Sequence, residues 1–169
     1  MNSVRRLAVT VGLVAGMTLC AMAQDKATVV TAAGSKLGAV PGLPACSTMS
    51  AQRGDPFKGG AVLLVKTTPG CTVPWHWHTA SESLMIVSGK AKLEMKGDGP
   101  ASSPLGPGDF AYMPGKHVHQ FTCATACTFF IVTEAAFDIH YVDKDGKEIP
   151  PDQALGPAKP AGGKTTPKK

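Results

Sequence analysis

Two histidines and a glutamate lie close together near the middle of this 169-residue chain, at a spacing that suits metal binding. His76 and His78 are two residues apart, and because side chains alternate between the two faces of a strand, both point to the same side. Glu82 follows His78 by four residues and has the same parity. Imidazole and carboxylate together suit a first-row divalent metal. The segment therefore predicts a metal site on one side of one hairpin.

A second pair of histidines, His117 and His119, follows at a distance that can supply a fourth ligand. Both have the same parity, so either side chain can point toward the metal. The register from Pro114 favours His119. His117 would then lie at the mouth of the site, as a hydrogen-bond donor or a proton carrier. His140, in the last predicted strand, is interpreted as a structural histidine.

The elements that must position these residues are short strands separated by turns. No stretch of the domain shows sustained helical periodicity, and Gly-, Pro- and Asp-rich turns recur at short intervals. Many short strands with regular turns indicate a sandwich or a barrel. A helix of about one turn fits only at 151–154. The predicted strands are 28–31, 61–67, 73–78, 83–87, 91–95, 110–113, 118–123, 128–134 and 137–142.

The first 23 residues have the three parts of a secretory signal peptide. The basic pair Arg5-Arg6 precedes an apolar run at 7–20, and a small-x-small cleavage site follows at 21–23. The apolar run is too short for a transmembrane helix. We therefore predict a mature protein that is periplasmic or secreted and has no membrane partner once the signal peptide is removed.

The charge of the chain argues against binding to nucleic acid. The formal net charge of the whole chain is +5, but residues 24–158 hold 11 basic and 12 acidic residues. A domain so close to neutral lacks the electrostatic footprint that a nucleic-acid-binding surface needs. We therefore expect no nucleic-acid partner.

Four cysteines remain after removal of the predicted signal peptide: Cys46, Cys71, Cys123 and Cys127. Export permits disulfides, and four cysteines allow three pairings. Cys123 and Cys127 flank a three-residue stretch that resembles a hairpin loop, and residues that flank such a loop lie within disulfide range. We therefore expect a Cys123–Cys127 disulfide, with Cys46–Cys71 left by elimination. Free, buried thiols are the alternative.

The segment 70–89 resembles the first motif of the cupins. That motif has a glycine, five residues, His-x-His, three residues, a glutamate, six residues and a glycine, and each of these positions is matched here. The second cupin motif is matched in part. Gly108, Pro114 and His119 fit it, whereas Lys116 and Cys123 stand where glycine and asparagine are usual.

This resemblance to small bacterial cupins of the RmlC-like superfamily implies an all-β fold. The expected architecture is a double-stranded β-helix, or jelly-roll barrel, with the metal inside its mouth. By carry-over from the motifs, the metal ligands would be His76, His78, Glu82 and His119. Catalytic residues beyond these ligands are not identified.

The resemblance also gives the expected organisation of the chain. We predict a signal peptide at 1–23, an N-terminal extension with the first strands at 24–59, the cupin barrel at 60–142, a C-terminal segment at 143–155 and a disordered tail at 156–169. A substrate pocket inside the barrel is predicted to be lined by Met85, Tyr112, Met113 and Phe121.

A mononuclear site with three imidazoles and one carboxylate leaves coordination positions open for dioxygen or a substrate. Fe would support dioxygen-dependent oxidation of a small molecule, whereas Mn, Ni or Zn would support isomerisation, decarboxylation or hydrolysis. The alternative is a non-catalytic module that binds or senses a metal or a small ligand, because fold alone does not fix function. An edge strand without a partner would also allow the protein to form a homodimer.

Overall fold

Residues 26–156, which a computed structural model describes, form two antiparallel β-sheets. Of the eleven strands in this range, five belong to one sheet and six to the other. The predicted all-β jelly-roll fold is thereby confirmed. The predicted signal peptide at 1–23 and nearly all of the predicted tail at 156–169 lie outside the described residues. No helix within 26–156 is long and apolar enough to cross a membrane.

The five-stranded sheet has the strand order β1-β2-β9-β4-β7, and each neighbouring pair is antiparallel. Strands distant in sequence are neighbours in this sheet, because β9 pairs with β2 on one side and with β4 on the other. Its strands are β1 (Ser47–Arg53), β2 (Ala61–Thr67), β4 (Glu82–Ser88), β7 (Phe110–Met113) and β9 (Cys127–Thr133).

The six-stranded sheet has the order β11-β10-β3-β8-β5-β6 and is also antiparallel throughout. Its strands are β3 (Thr72–Trp77), β5 (Ala91–Met95), β6 (Ser102–Leu105), β8 (His119–Cys123), β10 (His140–Val142) and β11 (Glu148–Ile149). A 3-10 turn at Ala32–Gly34 precedes the first strand, and the short helix α1 (Pro151–Leu155) follows the last.

The core lies between the inner faces of the two sheets. Leu63 and Phe129 enter it from the five-stranded sheet, and Leu93 and Phe121 from the six-stranded sheet. The rings of Phe121 and Phe129 meet edge to face with their centroids 5.0 Å apart. Burial of each such side chain stabilises the fold by roughly 1.5–3 kcal/mol. This interior packing holds the two sheets at the separation that the site requires.

Most predicted strands are present, but some were misjudged. The run at 28–31 forms no strand, and only His140–Val142 of the predicted strand at 137–142 is regular. β1 was missed because its sequence is polar, although buried Ser47 is satisfied by a hydrogen bond to the Pro44 carbonyl. β6 was missed because it contains Pro104, which an edge strand tolerates.

One of the two expected disulfides is confirmed and the other is absent. Cys46 and Cys71 form a disulfide, whereas Cys123 and Cys127 are buried free thiols. The expected Cys123–Cys127 bond is absent although the two thiols interact, and the stretch between them is not the predicted hairpin loop because the two residues belong to different sheets. β8 ends at Cys123 in the six-stranded sheet and β9 begins at Cys127 in the five-stranded sheet, so residues 124–126 cross between sheets.

Candidate metal centre

Three histidines and one glutamate meet inside the barrel, and both sheets contribute. His76 lies in β3 directly opposite His119, the first residue of β8, and His78 follows the end of β3. Glu82 begins β4 in the other sheet, where it pairs with Met113 of β7. The two-residue alternation that the sequence predicted continues past the end of β3, and both His76 and His78 lie in the interior.

The four side chains are close together and shielded from water. One ring nitrogen from each of His76, His78 and His119 lies within 4.8 Å of the others. The Glu82 Oε2 atom is 2.8 Å from His78 Nε2 and 4.0 Å from His119 Nε2. The exposed fractions of these four residues lie between 2% and 7%. The structure thus brings the three histidines together and places Glu82 beside His78 and His119 in the same buried region.

Main-chain carbonyls fix the orientation of all three imidazoles. His76 Nδ1 hydrogen-bonds the Pro74 carbonyl at 2.6 Å, and His119 Nδ1 bonds the His117 carbonyl at 2.9 Å. His78 Nδ1 bonds the carbonyl of Asp138. A carbonyl oxygen can only accept, so each Nδ1 must carry the proton. Nε2 is therefore the atom that each ring can offer to a metal.

The electrostatics of the cluster differ from residue to residue. Burial lowers the pKa of His76 well below its ordinary value, and the neighbouring histidines lower it further. Burial also outweighs the attraction of Glu82 at His119, so the pKa of His119 is lowered. Both rings are thus held neutral, which is the form that binds a metal.

His78 and Glu82 form the charged part of the cluster. Burial alone would raise the pKa of Glu82, but the charge and hydrogen bond of His78 lower it. Burial would lower the pKa of His78, and the same contact with Glu82 raises it. Without a metal, the two side chains therefore form a buried ion pair. The arrangement can exchange the imidazole proton for a cation, because the carboxylate attracts either.

The turn before His119 is tied to the backbone of the first histidine motif. Lys116 N–H donates to the His78 carbonyl at 2.7 Å. Lys116 has a φ of 65°, which explains why this position usually holds glycine in the second cupin motif. A Cβ on Gly115 would lie 2.6 Å from the Thr79 carbonyl oxygen. The turn therefore has a positive φ at this position even though lysine, and not glycine, occupies it.

Of the two candidates for the fourth ligand, the structure brings His119 into the cluster. His117 instead supplies the carbonyl that holds the His119 ring. Its own Nε2 is buried and has no hydrogen-bond partner among residues 26–156.

The predicted pocket lining was half wrong. Met113 and Phe121 line the cavity beside the cluster, as expected. Met85 and Tyr112 do not, because they lie on the outer face of the five-stranded sheet and are 36% and 54% exposed. Since Glu82 faces inward, every second residue after it does too, and Met85 must face outward. The alternation of side chains that identified the ligands should therefore have excluded Met85 from the predicted pocket.

Most of the other residues that line the cavity were not recognised in the sequence, among them three from irregular segments. Leu43 comes from the loop before β1, and Phe137 and Ile139 come from the irregular segment before β10. Irregular loops carry no periodicity from which an inward direction can be read. The proximity of these residues to the predicted ligands appears only in the folded chain.

Comparison with known proteins places the site in context. Residues 63–133, from β2 to the end of β9, match the Cupin domain family model. The dimethylsulfoniopropionate lyase DddQ of Ruegeria pomeroyi is 37% identical over 68 residues, which are 39% of this chain and 33% of the lyase. The chain thus matches about a third of the length of that curated relative.

Several solved structures share the fold at low sequence identity. The polyketide cyclase RemF of Streptomyces resistomycificus superposes with a TM-score of 0.59 at 18% identity, covering 72% of this chain and 90% of the cyclase. An RmlC-like cupin from Ralstonia eutropha gives 0.57 at 16% identity, with 73% and 77% covered. One from Shewanella frigidimarina gives 0.54 at 13% identity, with 71% and 96% covered. The family match over residues 63–133 and these solved structures agree that this part of the chain has the cupin fold.

Proposed function

We propose that the protein binds one divalent metal ion through His76, His78, Glu82 and His119. The observation that carries this proposal is the common orientation of the three rings. Each Nδ1 is held by a carbonyl, and the ring nitrogens lie within 4.8 Å of one another beside a buried carboxylate. A histidine cluster that served only packing would not need three rings whose Nε2 atoms are kept free of main-chain hydrogen bonds beside a buried carboxylate.

The function we infer is dioxygen-dependent oxidation of a small molecule. Open coordination positions on a bound Fe(II) supply dioxygen chemistry. The chain contributes the rest: three neutral imidazoles and one carboxylate hold the ion, and the apolar lining excludes water from the reacting groups. The carbonyl bonds keep the rings oriented when a ligand enters.

Nitric oxide, a stable substitute for dioxygen, tests this function without knowledge of the substrate. We expect the Fe(II)-loaded protein to bind nitric oxide and give the electron paramagnetic resonance signal of a ferrous nitrosyl. His78→Gln should lose the signal with the iron. Iron that binds at this site but leaves no position open to nitric oxide would contradict the oxidation proposal and favour a non-catalytic metal-binding or sensing module.

The likeness to a lyase suggests elimination as a second candidate function. The substrate that gives that lyase its name contains a carboxylate, whereas no lysine or arginine within 26–156 lines the cavity of this protein. We therefore expect no consumption of dimethylsulfoniopropionate by protein loaded with Fe, Mn, Ni or Zn. Metal-dependent consumption that Glu82→Gln abolishes would instead support the lyase function.

We propose that the protein acts in the periplasm or outside the cell. The tripartite pattern at 1–23 supports export. The Cys46–Cys71 disulfide agrees with an oxidising compartment, because such bonds are rare in the cytosol. N-terminal sequencing of protein from the periplasm should give a chain that begins at Gln24. An intact N-terminus in the cytosolic fraction would contradict export.

We also propose a homodimer formed through β7, an edge strand of the five-stranded sheet. Phe110 and Tyr112 of β7 are exposed beside Met85 and Val87 of β4. Pairing of two β7 edges would extend the sheet and cover this apolar patch. Light scattering should give twice the chain mass, reduced to one chain mass by Phe110→Glu. A monomeric wild-type protein would overturn this part of the proposal.

A further inference from the structure

A small cavity extends from the histidine cluster into the barrel. Its volume is about 50 Å³. The space beside the cluster therefore admits a small group and not a bulky one.

The wall of the cavity away from the cluster is mainly apolar. It includes Leu84, Leu93, Met113, Phe121, Phe129 and Ile131. The two hydroxyls in the wall are already engaged, because Ser47 donates to the Pro44 carbonyl, while Thr67 accepts from Cys127 N–H and also hydrogen-bonds the Cys123 side chain. No lysine or arginine of the described chain belongs to the wall. A charged group placed here would have no partner of opposite sign.

Half-buried apolar side chains border the cavity toward solvent: Leu43, Phe137 and Ile139. The loop that carries Leu43 is fastened on two sides. Tyr141 Oη donates to the Gly42 carbonyl at 2.8 Å, and the disulfide between Cys46 and Cys71 anchors the end of the loop. A loop that is fixed in position therefore borders the opening of the cavity. This loop limits the length of a ligand.

On this basis, and resting on the proposed metal site, we propose that the natural ligand is a short molecule with one metal-binding group and an uncharged, apolar remainder. Leu43 and Ile139 set its length. A second charged group is excluded, because its desolvation would not be offset by a cation in the wall. The proposal thus specifies the class of substrate in size and in charge.

Three hydroxamates separate the two requirements, because each binds a metal through the same two oxygens. Acetohydroxamate is short, while hexanohydroxamate and succinohydroxamate are longer and have equal numbers of non-hydrogen atoms. The last carries a terminal carboxylate in place of the apolar tail end. The full chain is loaded with Co(II), whose visible absorption reports ligand binding, and retention of cobalt is measured after each titration.

In the wild-type protein we expect acetohydroxamate to bind at least about tenfold more tightly than hexanohydroxamate, because the longer tail overfills the cavity. Succinohydroxamate should bind at least about 100-fold more weakly than acetohydroxamate, because its carboxylate is buried unpaired. Equal affinities for the three probes on protein that retains cobalt would overturn the substrate-class proposal and leave the metal site intact.

Variants of the border residues make the length limit testable separately. Leu43→Ala should raise the affinity for hexanohydroxamate about tenfold and change that for succinohydroxamate less than about threefold. Ile139→Ala provides the same test at a second position. Val132→Ala, on the outer face of the five-stranded sheet and outside the cavity wall, is the matched control and should change nothing. No gain in either border variant would refute the assignment of length to these residues.

Binding of cobalt distinguishes failure of the proposed metal site from failure of the proposed substrate class. If the wild-type protein is folded and binds no Co(II), the proposed metal site fails and the substrate class fails with it. If Co(II) binds and succinohydroxamate binds as tightly as hexanohydroxamate in Leu43→Ala, only the charge requirement is wrong.

Discussion

Two histidine–carboxylate clusters occur in this domain, one inside the barrel and one on its surface. Inside, His78 Nε2 lies 2.8 Å from Glu82 Oε2. Outside, His140 Nδ1 lies 2.8 Å from Glu148 Oε1, and its Nε2 lies 3.2 Å from Asp138 Oδ2. The contact distances are nearly the same. The two clusters differ in chemistry, because the inner side chains are buried while the outer ones are partly exposed.

The difference between the clusters lies in which ring nitrogens are engaged. Each inner imidazole donates Nδ1–H to a carbonyl and keeps Nε2 for the common centre. His140 has carboxylates on both nitrogens and stacks flat on Trp77 at 3.9 Å. It has no ring atom to share with a metal in this arrangement. Convergence of donor atoms, rather than a short His–carboxylate distance, distinguishes a metal site from a surface ion pair.

Asp138 connects the two clusters. Its main-chain carbonyl holds His78, while its carboxylate accepts from Thr79 N–H at 2.8 Å and contacts His140. The backbone of one residue thus belongs to the inner cluster and its side chain to the outer one. Substitutions in the two clusters can therefore test whether their functions are as separate as their chemistry suggests.

The largest contrast is expected from removing one carboxylate charge in each cluster. Glu82→Gln should weaken metal binding more than about 100-fold, because loss of an outer partner of a ligand alone costs about 10- to 100-fold. Glu148→Gln is the matched control and should change metal affinity less than about threefold. Competition titration with a chromophoric chelator measures both. Equal losses in the two variants would remove the distinction between the clusters.

Metal should also stabilise the protein through the inner cluster alone. A ligand that binds only the folded state at a concentration of about 100 times its Kd adds about 2.7 kcal/mol to the free energy of unfolding. Thermal unfolding with and without metal should show this gain in wild type and in His140→Gln, and not in His119→Gln. A gain that survives His119→Gln would place the bound metal elsewhere.

The sequence anticipated the inner cluster because strand parity and motif spacing are local properties. His76, His78 and Glu82 could be placed on one face before any fold was known, and His119 followed from the second motif. The residues at the opening of the cavity could not be predicted, since Leu43 and Phe137 reach it from irregular loops. The Cys123–Cys127 bond failed for a related reason, because local spacing does not reveal that a chain changes sheets.

The outer cluster should contribute a small, pH-dependent stability. Burial would lower the pKa of His140, but its hydrogen bonds to Glu148 and Asp138 raise it. A raised folded-state pKa means that the contribution is full below the ordinary pKa of about 6.5 and is lost as pH rises through the folded value.

Metal-free wild-type protein and His140→Gln are compared by denaturant unfolding at pH 5.5 and pH 9. The wild-type advantage should be about 0.5 kcal/mol at the lower pH, as for a partly exposed ion pair, and should shrink at the higher pH. An advantage that grows with pH would show that His140 stabilises the fold as the neutral ring.

The smallest effect is expected at the residue that joins the clusters. Asp138→Asn keeps the main-chain carbonyl for His78 and a side-chain oxygen for Thr79 N–H, so metal affinity should change less than about threefold. The same chelator competition measures it. A loss beyond about tenfold would mean that the Asp138 charge belongs to the metal site, since outer partners of ligands have effects of about that size.

The central claim is tested most directly by the metal content of protein purified without chelators or a nickel column. We expect close to one equivalent of a single divalent metal in the wild-type protein and in His140→Gln, and almost none in His78→Gln, by inductively coupled plasma mass spectrometry. Folding of each variant is checked by circular dichroism. A folded wild-type protein that stays metal-free after incubation with Fe(II), Mn(II), Ni(II) and Zn(II), or a His78→Gln variant that retains a full equivalent, would contradict the assignment of a metal centre to the inner cluster.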